Sequence, residues 1–398
     1  MYLYSENIYT PYGFQNGYLK IENGKIIGVF DNADSKEIIN YNEKVIIPGF
    51  IDIHLHGWAT GSFLFEGTKD SLKNMSKELV KVGVTSYLAT TGTDSINKIS
   101  SQLGEGKKFI DSWNPNNGAE VLGFHLEGPF INSEYRGMQK EEFCIEPSIE
   151  ILNDFIKIGG LENIKLITMA PELPGSKAFI KYAKENGIQI SIGHSGAEFE
   201  DIAELKSYGV SGFTHMFSGM SGFHHRKLGA VGAAMYFDDM YVEFAKQTGT
   251  TVKPEAFKIL YKIKSKDRII LATDCIGLAH IRSPFYHYIR ECKYMPYKDK
   301  IVVKYDDGIE ECIYKNDYSR IRCLELSYIE SIKNVVKNVN ASISDIVKMA
   351  CENPAKYIGA YTYKGSIEKG KDADLIIIDE EWNIFDVYVR GKLQNISS

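Results

Sequence analysis

A chain of 398 residues with 25% charged side chains and a formal net charge of −6 is too long for one small core and too ordinary in composition for disorder. It holds no basic block that would suit nucleic acid and no run of about 18 uninterrupted apolar residues for a membrane span. The start, MYLYSENIYT, shows no signal-peptide pattern, and six cysteines (144, 275, 292, 312, 323 and 351) at irregular spacings read as reduced thiols of a cytoplasmic protein.

Residues 1–47 read as all-β, because YLKIENGKIIGVF is two alternating runs around Asn23-Gly24, a strong hairpin signal. From residue 48 to 360, apolar runs rich in β-branched residues alternate with helical patterns. The strand candidates are VIIPGFIDIHLHG, VTSYLATTG, VLGFHLEGPF, IKLITMAPE, IQISIGHSG, VSGFTHMFSG, DMYVEFAKQ and RIILATDCIG. Between several of them TKDSLKNMSKELVKVG, PGSKAFIKYAKENG and AEFEDIAELKSYG carry apolar residues at helical spacing and end in Gly. Eight strands alternating with helices is the count of an α/β protein built on a (β/α)8 barrel. Residues 276–320 have no clear period and are placed as a long excursion after the eighth strand. SYIESIKNVVKNVN and SISDIVKMACEN follow as two further helices. Residues 361–398, with GSIEKGKDADLIIIDEEWNIFDVYVRGKLQ, form three short strands, expected to pair with the N-terminal piece in one small β-sandwich.

The first barrel strand, FIDIHL, ends in His54 and His56, which share one face about 6–7 Å apart along the chain. Four other strands end in chemistry too: Glu127 in FHLEGPF, His194 in IGHSG, His215 in FTHMF and Asp274 in LATDC. A barrel delivers all its strand ends to one mouth, so four imidazoles and two carboxylates converge there. These are ligands for a divalent metal, Zn first, with Fe, Mn or Co as alternatives, at one or two ions per chain. His125, two residues before Glu127, reads equally as a partner of these groups or a substrate contact, or as a hydrogen-bonded core histidine.

HLEGPFIN at 125–132, IGHSGA at 192–197, FTHMFSGMSGFHHRKLGAVGAA at 213–234 and ATD at 272–274 resemble the N-acetylglucosamine-6-phosphate deacetylase family of the amidohydrolase superfamily. PGFIDIHLHG at 48–57, NPAKYIG at 353–359 and GSIEKGKDADLIIID at 365–379 resemble it as well. The resemblance implies an amidohydrolase-type barrel with a sandwich built from both termini, a homodimer, and an amino-sugar substrate. It implies that Glu127, His194 and His215 are metal ligands, that Asp274 is the catalytic acid/base, and that His54 and His56 match a pair some members use for a second metal. It places Arg226, with His225 in the same motif, at the sugar phosphate.

The departures fall on substrate-holding positions. Gln139 in RGMQ stands where the family has His, Ser218 beside Gly219 in HMFSGM replaces Asn, and Tyr241 in DDMYVE replaces the His of D-G-x-H. The stretch YSRIRCLEL replaces a Gly-Ser-rich one. The expected activity is metal-dependent hydrolysis of the N-acetyl amide of N-acetylglucosamine 6-phosphate or a related amino sugar, with Asp274 as the proton shuttle. Two rivals remain: hydrolysis of another N-acyl or cyclic amide, and a catalytically weak sugar-binding paralogue.

Overall fold

The computed structural model describes residues 1–245, 252–287 and 290–396. Both termini meet in one eight-stranded sheet, ordered Lys392–Leu393, Ile384–Val389, Leu375–Ile378, Val45–Pro48, Tyr2–Thr10, Gly13–Glu22 and Lys25–Phe30, with Ile38–Asn40 paired to Tyr2–Thr10. The anticipated hairpin is present, and Asn23 and Gly24 both have positive φ, as a two-residue turn between twisted strands requires. The sheet wraps an apolar core of Leu3, Ile8, Leu19, Ile46, Leu375 and Ile377. At its border with the barrel, Glu120, Asp372 and Asp374 cluster around the buried Lys364, whose Nζ lies 2.6 Å from both Glu120 and Asp374. That ammonium, with Arg390 2.6 Å from Glu120 and Lys25 2.6 Å from Asp372, balances the three acids, so they form an ion-pair knot between sheet and barrel.

The run VIIPGFIDIHLHG, expected as one strand, is two. Val45–Pro48 pairs in the terminal sheet, and Phe50–Trp58 (β1) opens the barrel. Gly49 is the break, since a Cβ there would lie 2.1 Å from Thr85 Oγ1. The remaining barrel strands are Val84–Thr91 (β2), Glu120–Glu127 (β3), Ile164–Met169 (β4), Gln189–Ile192 (β5), Val210–Phe213 (β6), Tyr241–Ala245 (β7) and Ile269–Ala272 (β8). Each pairs in parallel with the next. The short strand Cys275–Ile276 leaves β8 and pairs in parallel with β1, closing the ring.

The three helices anticipated between strands form, at Lys69–Leu79, Ser176–Glu185 and Phe199–Lys206, the first with a Thr68–Ser71 capping box, and the two later segments hold helices at Tyr328–Val339 and Ile343–Val347. No helix among the described residues is long and apolar enough to cross a membrane. Inside the barrel, the lower layer is apolar: Ile51, Ile53, Leu88, Leu122, Leu166 and Ile270 meet Tyr357 from the helix Asn353–Tyr357. The β1 register shifts between Asp52 and Leu55, so this strand supplies Ile53 to the lower layer and His54 and His56 to the upper one.

Residues 276–320 are more ordered than their sequence pattern announced. Phe285–His287, Cys292–Pro296, Lys300–Tyr305 and Glu310–Tyr314 form a four-stranded antiparallel sheet. Cys292, Tyr294, Ile301, Val303 and Ile313 give it a small core, which extends to Phe65 and Ile276 at the barrel mouth. Its strands are three to six residues long with one solvated face, too short for a clear period.

Candidate metal centre and active site

Three of the six residues at the mouth, His194, His215 and Asp274, have left-handed φ values of 49°, 32° and 51°. Non-glycine residues adopt this region at a cost and are held there by surrounding structure, a pattern that concentrates at functional sites. The four imidazoles share one orientation. Nδ1 faces Glu243 Oε1 at 2.7 Å in His54, Thr90 O at 3.2 Å in His56, Tyr135 O at 2.9 Å in His194 and Ser218 O at 3.1 Å in His215. With each Nδ1 facing an oxygen, Nε2 is the nitrogen left to meet a metal, and all four Nε2 atoms turn inward.

There the Nε2 atoms crowd the Glu127 carboxylate. Oε1 lies 3.2 Å from His194 Nε2, 3.1 Å from His215 Nε2 and 3.3 Å from His54 Nε2, while Oε2 lies 3.1 Å from His56 Nε2. Facing nitrogens are 3.1 Å apart in His194 and His215 and 3.2 Å apart in His54 and His56. Ligands at 2.0–2.1 Å around a tetrahedral ion stand about 3.3 Å apart, so the donor set fits a divalent metal. Two groups of three emerge, Glu127 with His194 and His215, and His54 with His56 and Asp274.

Charge balance agrees with this fit. Burial alone would raise the Glu127 carboxyl, but His54 together with hydrogen bonds from His194 and His215 holds it well below its usual range. Burial would also depress His54, yet Glu243, Glu127 and Asp274 hold its affinity for a proton well above normal. The centre therefore demands positive charge. Asp274 sits at its edge with Oδ1 3.5 Å from Nε2 of both His54 and His56. Its amide donates to His54 O at 2.8 Å. Behind it, Thr273 Oγ1 donates to Asp52 at 2.6 Å, and burial pushes the Asp52 carboxyl up to about 7.

Glu243 is the residue the sequence reading passed over. It lies on β7, is 4% exposed, and its Oε1 accepts both from His54 Nδ1 and from the His215 amide at 3.1 Å. It thus orients one residue from each group of three. Glu243→Gln keeps an acceptor oxygen but removes the charge, and turnover should fall about 10- to 100-fold with little change in melting midpoint. Rates and melting curves on one sample check this, and turnover within about twofold of wild type would make Glu243 a purely structural acceptor. His125 resolves as a core histidine, fully buried between Ile53 O at 3.1 Å and Thr168 Oγ1 at 2.7 Å.

A cavity of about 350 Å³ opens above the centre. Gln139, Ser218 and Gly219 line it as expected, with Leu64, Phe65, Met138, Ile276 and Phe285 forming an apolar wall. Gly219 has φ +55°, and a Cβ there would stand 3.1 Å from His194 Nδ1. One expectation needs correction. Tyr241 starts β7 and packs on Tyr357 and Arg268, with centroid separations of 5.0 Å and 5.1 Å, in the lower layer. Ala245, four residues on, is the β7 residue that reaches the cavity wall, so Tyr241 lies about 13 Å too low to hold substrate. His225 and Arg226 are exposed on a tight turn closed by reciprocal His224–Lys227 backbone bonds of 2.9 and 3.0 Å, and neither lines the cavity of its own chain. The chain swings outward there before re-entering at Gly229.

Residues 45–395 match the model of the amidohydrolase family. The N-acetylglucosamine-6-phosphate deacetylase of Bacillus subtilis (strain 168) is 31% identical over 389 residues, covering 96% of this chain and 94% of the relative. The N-acetylgalactosamine-6-phosphate deacetylase of Escherichia coli O157:H7 is 26% identical, covering 88% of each chain. The crystal structure of N-acetylglucosamine-6-phosphate deacetylase from Pasteurella multocida superposes with a TM-score of 0.82 at 25% identity, over 99% of both chains. With a strand-end donor set built for a divalent ion and a family match spanning both domains, the chain is a hydrolase of the amidohydrolase family and belongs with its N-acetylglucosamine-6-phosphate deacetylases.

Proposed function

We propose that this protein hydrolyses the N-acetyl amide of an N-acetylamino sugar 6-phosphate, with N-acetylglucosamine 6-phosphate as the first candidate, releasing acetate and the amino sugar phosphate. The observation that carries this reading is the joint presence of the Glu127–His194–His215 and His54–His56–Asp274 groups beneath one cavity. Zinc is the first choice of ion, because imidazole nitrogens dominate the donors and the spacing is tetrahedral. Two groups of three donors, Glu127 with His194 and His215 and His54 with His56 and Asp274, share this mouth, which supports two ions per chain.

A divalent ion bound there supplies Lewis acidity towards water and an amide carbonyl. Asp274, at the edge of the centre and open to the cavity, takes the proton of the attacking water and returns it to the leaving nitrogen as the C–N bond breaks. Glu243 and Thr90 keep His54 and His56 in the tautomer that presents Nε2. The apolar wall around Phe65 and Phe285 limits water at the reacting amide. Among the described residues no cysteine forms a disulfide, which supports a reducing, cytoplasmic setting, in which we place a homodimer.

Neither rival gains support. Cyclic-amide hydrolysis through a carboxylated lysine needs that lysine at the tip of β4, but Lys165 is second in β4, at the opposite end from Met169. A sugar-binding protein without turnover has no use for an acid placed as Asp274 is.

Substrate choice tests the reading. Gln139 and Ser218 stand in the cavity wall where the resemblance implies His and Asn, so phosphate should be held less firmly than in typical members. Acetate release from N-acetylglucosamine 6-phosphate is expected to be measurable, with a high KM, and about tenfold more efficient than from the unphosphorylated sugar. No acetate from either sugar under zinc saturation would overturn the assignment. Equal efficiency on both would remove the phosphate from it.

A further inference from the structure

Gln139 was expected among the groups that touch substrate, yet both ends of its carboxamide are committed within the protein. Oε1 accepts the Thr93 amide at 2.9 Å, and Nε2 donates to Glu127 Oε2 at 2.7 Å. The side chain cannot turn its amide towards the cavity without breaking one of the two bonds. Thr93 follows β2 and Glu127 ends β3, so the bridge joins two neighbouring strand tips. The same segment orients a second residue of the centre, because Tyr135 O receives His194 Nδ1 at 2.9 Å. Lys140, next to Gln139, fastens the segment through an ion pair with Asp94 at 3.0 Å.

The consequence falls on Glu127, which is buried at 2% exposure and central to the donor set. A carboxylate so enclosed can rotate about its terminal bond, and each orientation presents a different oxygen to His194 and His215. Donation from Gln139 to Oε2 leaves Oε1 facing their Nε2 atoms at 3.2 and 3.1 Å. The donor is neutral, so it fixes the carboxylate without competing for the charge an ion must balance.

We propose that Gln139 is a positioning residue of the metal centre, clamping the Glu127 carboxylate for the ion, and that it does not hold the sugar. The inference rests on the reading that Glu127, His194 and His215 hold a divalent ion. Zinc dissociation constants, measured by competition with a chromogenic chelator on the full chain, test it. Gln139→Met keeps length and volume but removes the donor, and should raise the zinc dissociation constant about 10- to 100-fold. At saturating zinc its KM should stay within about twofold of wild type while kcat falls. Gln139→Ala, which cannot overpack, should shift zinc affinity in the same direction, with the metal-free melting midpoint of both variants unchanged. Wild-type zinc affinity in both variants, together with a raised KM, would make Gln139 a substrate contact and overturn the inference alone. A wild-type chain that binds no zinc would defeat the site reading and this inference together.

Discussion

Asp274→Asn should nearly abolish acetate release while the protein stays folded and holds at least one metal ion. The side chain stands 3.5 Å from Nε2 of both His54 and His56 and lines the cavity, a position from which a carboxylate can exchange a proton with water or substrate. Asparagine has the same shape but cannot take up that proton. Loss of a general acid/base costs about 10²–10⁴ in rate, which sets the expected fall in kcat. The left-handed backbone at Asp274 tolerates asparagine as well as aspartate, so the change in chemistry is not confused with a change in fold. Rates, circular dichroism and metal content on one preparation check the prediction. Near wild-type kcat would assign the proton shuttle to another residue.

The second large effect is loss of metal. His194→Ala and His215→Ala each remove one of the three donors in the Glu127 group, and each residue is less than a tenth exposed. Deleting one ligand also removes one of the side-chain hydrogen bonds that, together with His54, hold the Glu127 carboxyl well below its usual range. Metal content by elemental analysis should drop from about two ions per chain to one or none, with turnover lost in parallel. His54→Ala should lower the stoichiometry under excess metal from about two to one, leaving the Glu127 group loaded. Full occupancy in both His194→Ala and His215→Ala would sink the assignment of that group. A wild-type stoichiometry of one, unchanged in His54→Ala, would remove the second ion.

What the sequence determined by itself follows from two local regularities. The parallel order of strands brings His54, His56, Glu127, His194, His215 and Asp274 to one mouth, because every barrel strand points its end the same way, and the two-residue period puts His54 and His56 on one face. The Asn23-Gly24 hairpin and the helices ending in Gly were legible for the same reason, since turn and cap chemistry is local. Tertiary structure decided the rest. Glu243 pairs with His54 across 189 residues, and nothing near DMYVEF announces which side chain β7 will meet. Tyr241 faces inward yet lies one layer too deep, because the height of a residue in a barrel depends on strand stagger and on where its strand begins. Gln139 borders the cavity but spends its carboxamide on Glu127, because a neighbouring strand tip supplied an amide for its other end. Arg226 left its own cavity on an outward turn. Residue type and spacing thus choose which chemistry reaches the mouth. Register, strand stagger and loop path choose which side chains meet there, since those depend on contacts between segments far apart in the chain.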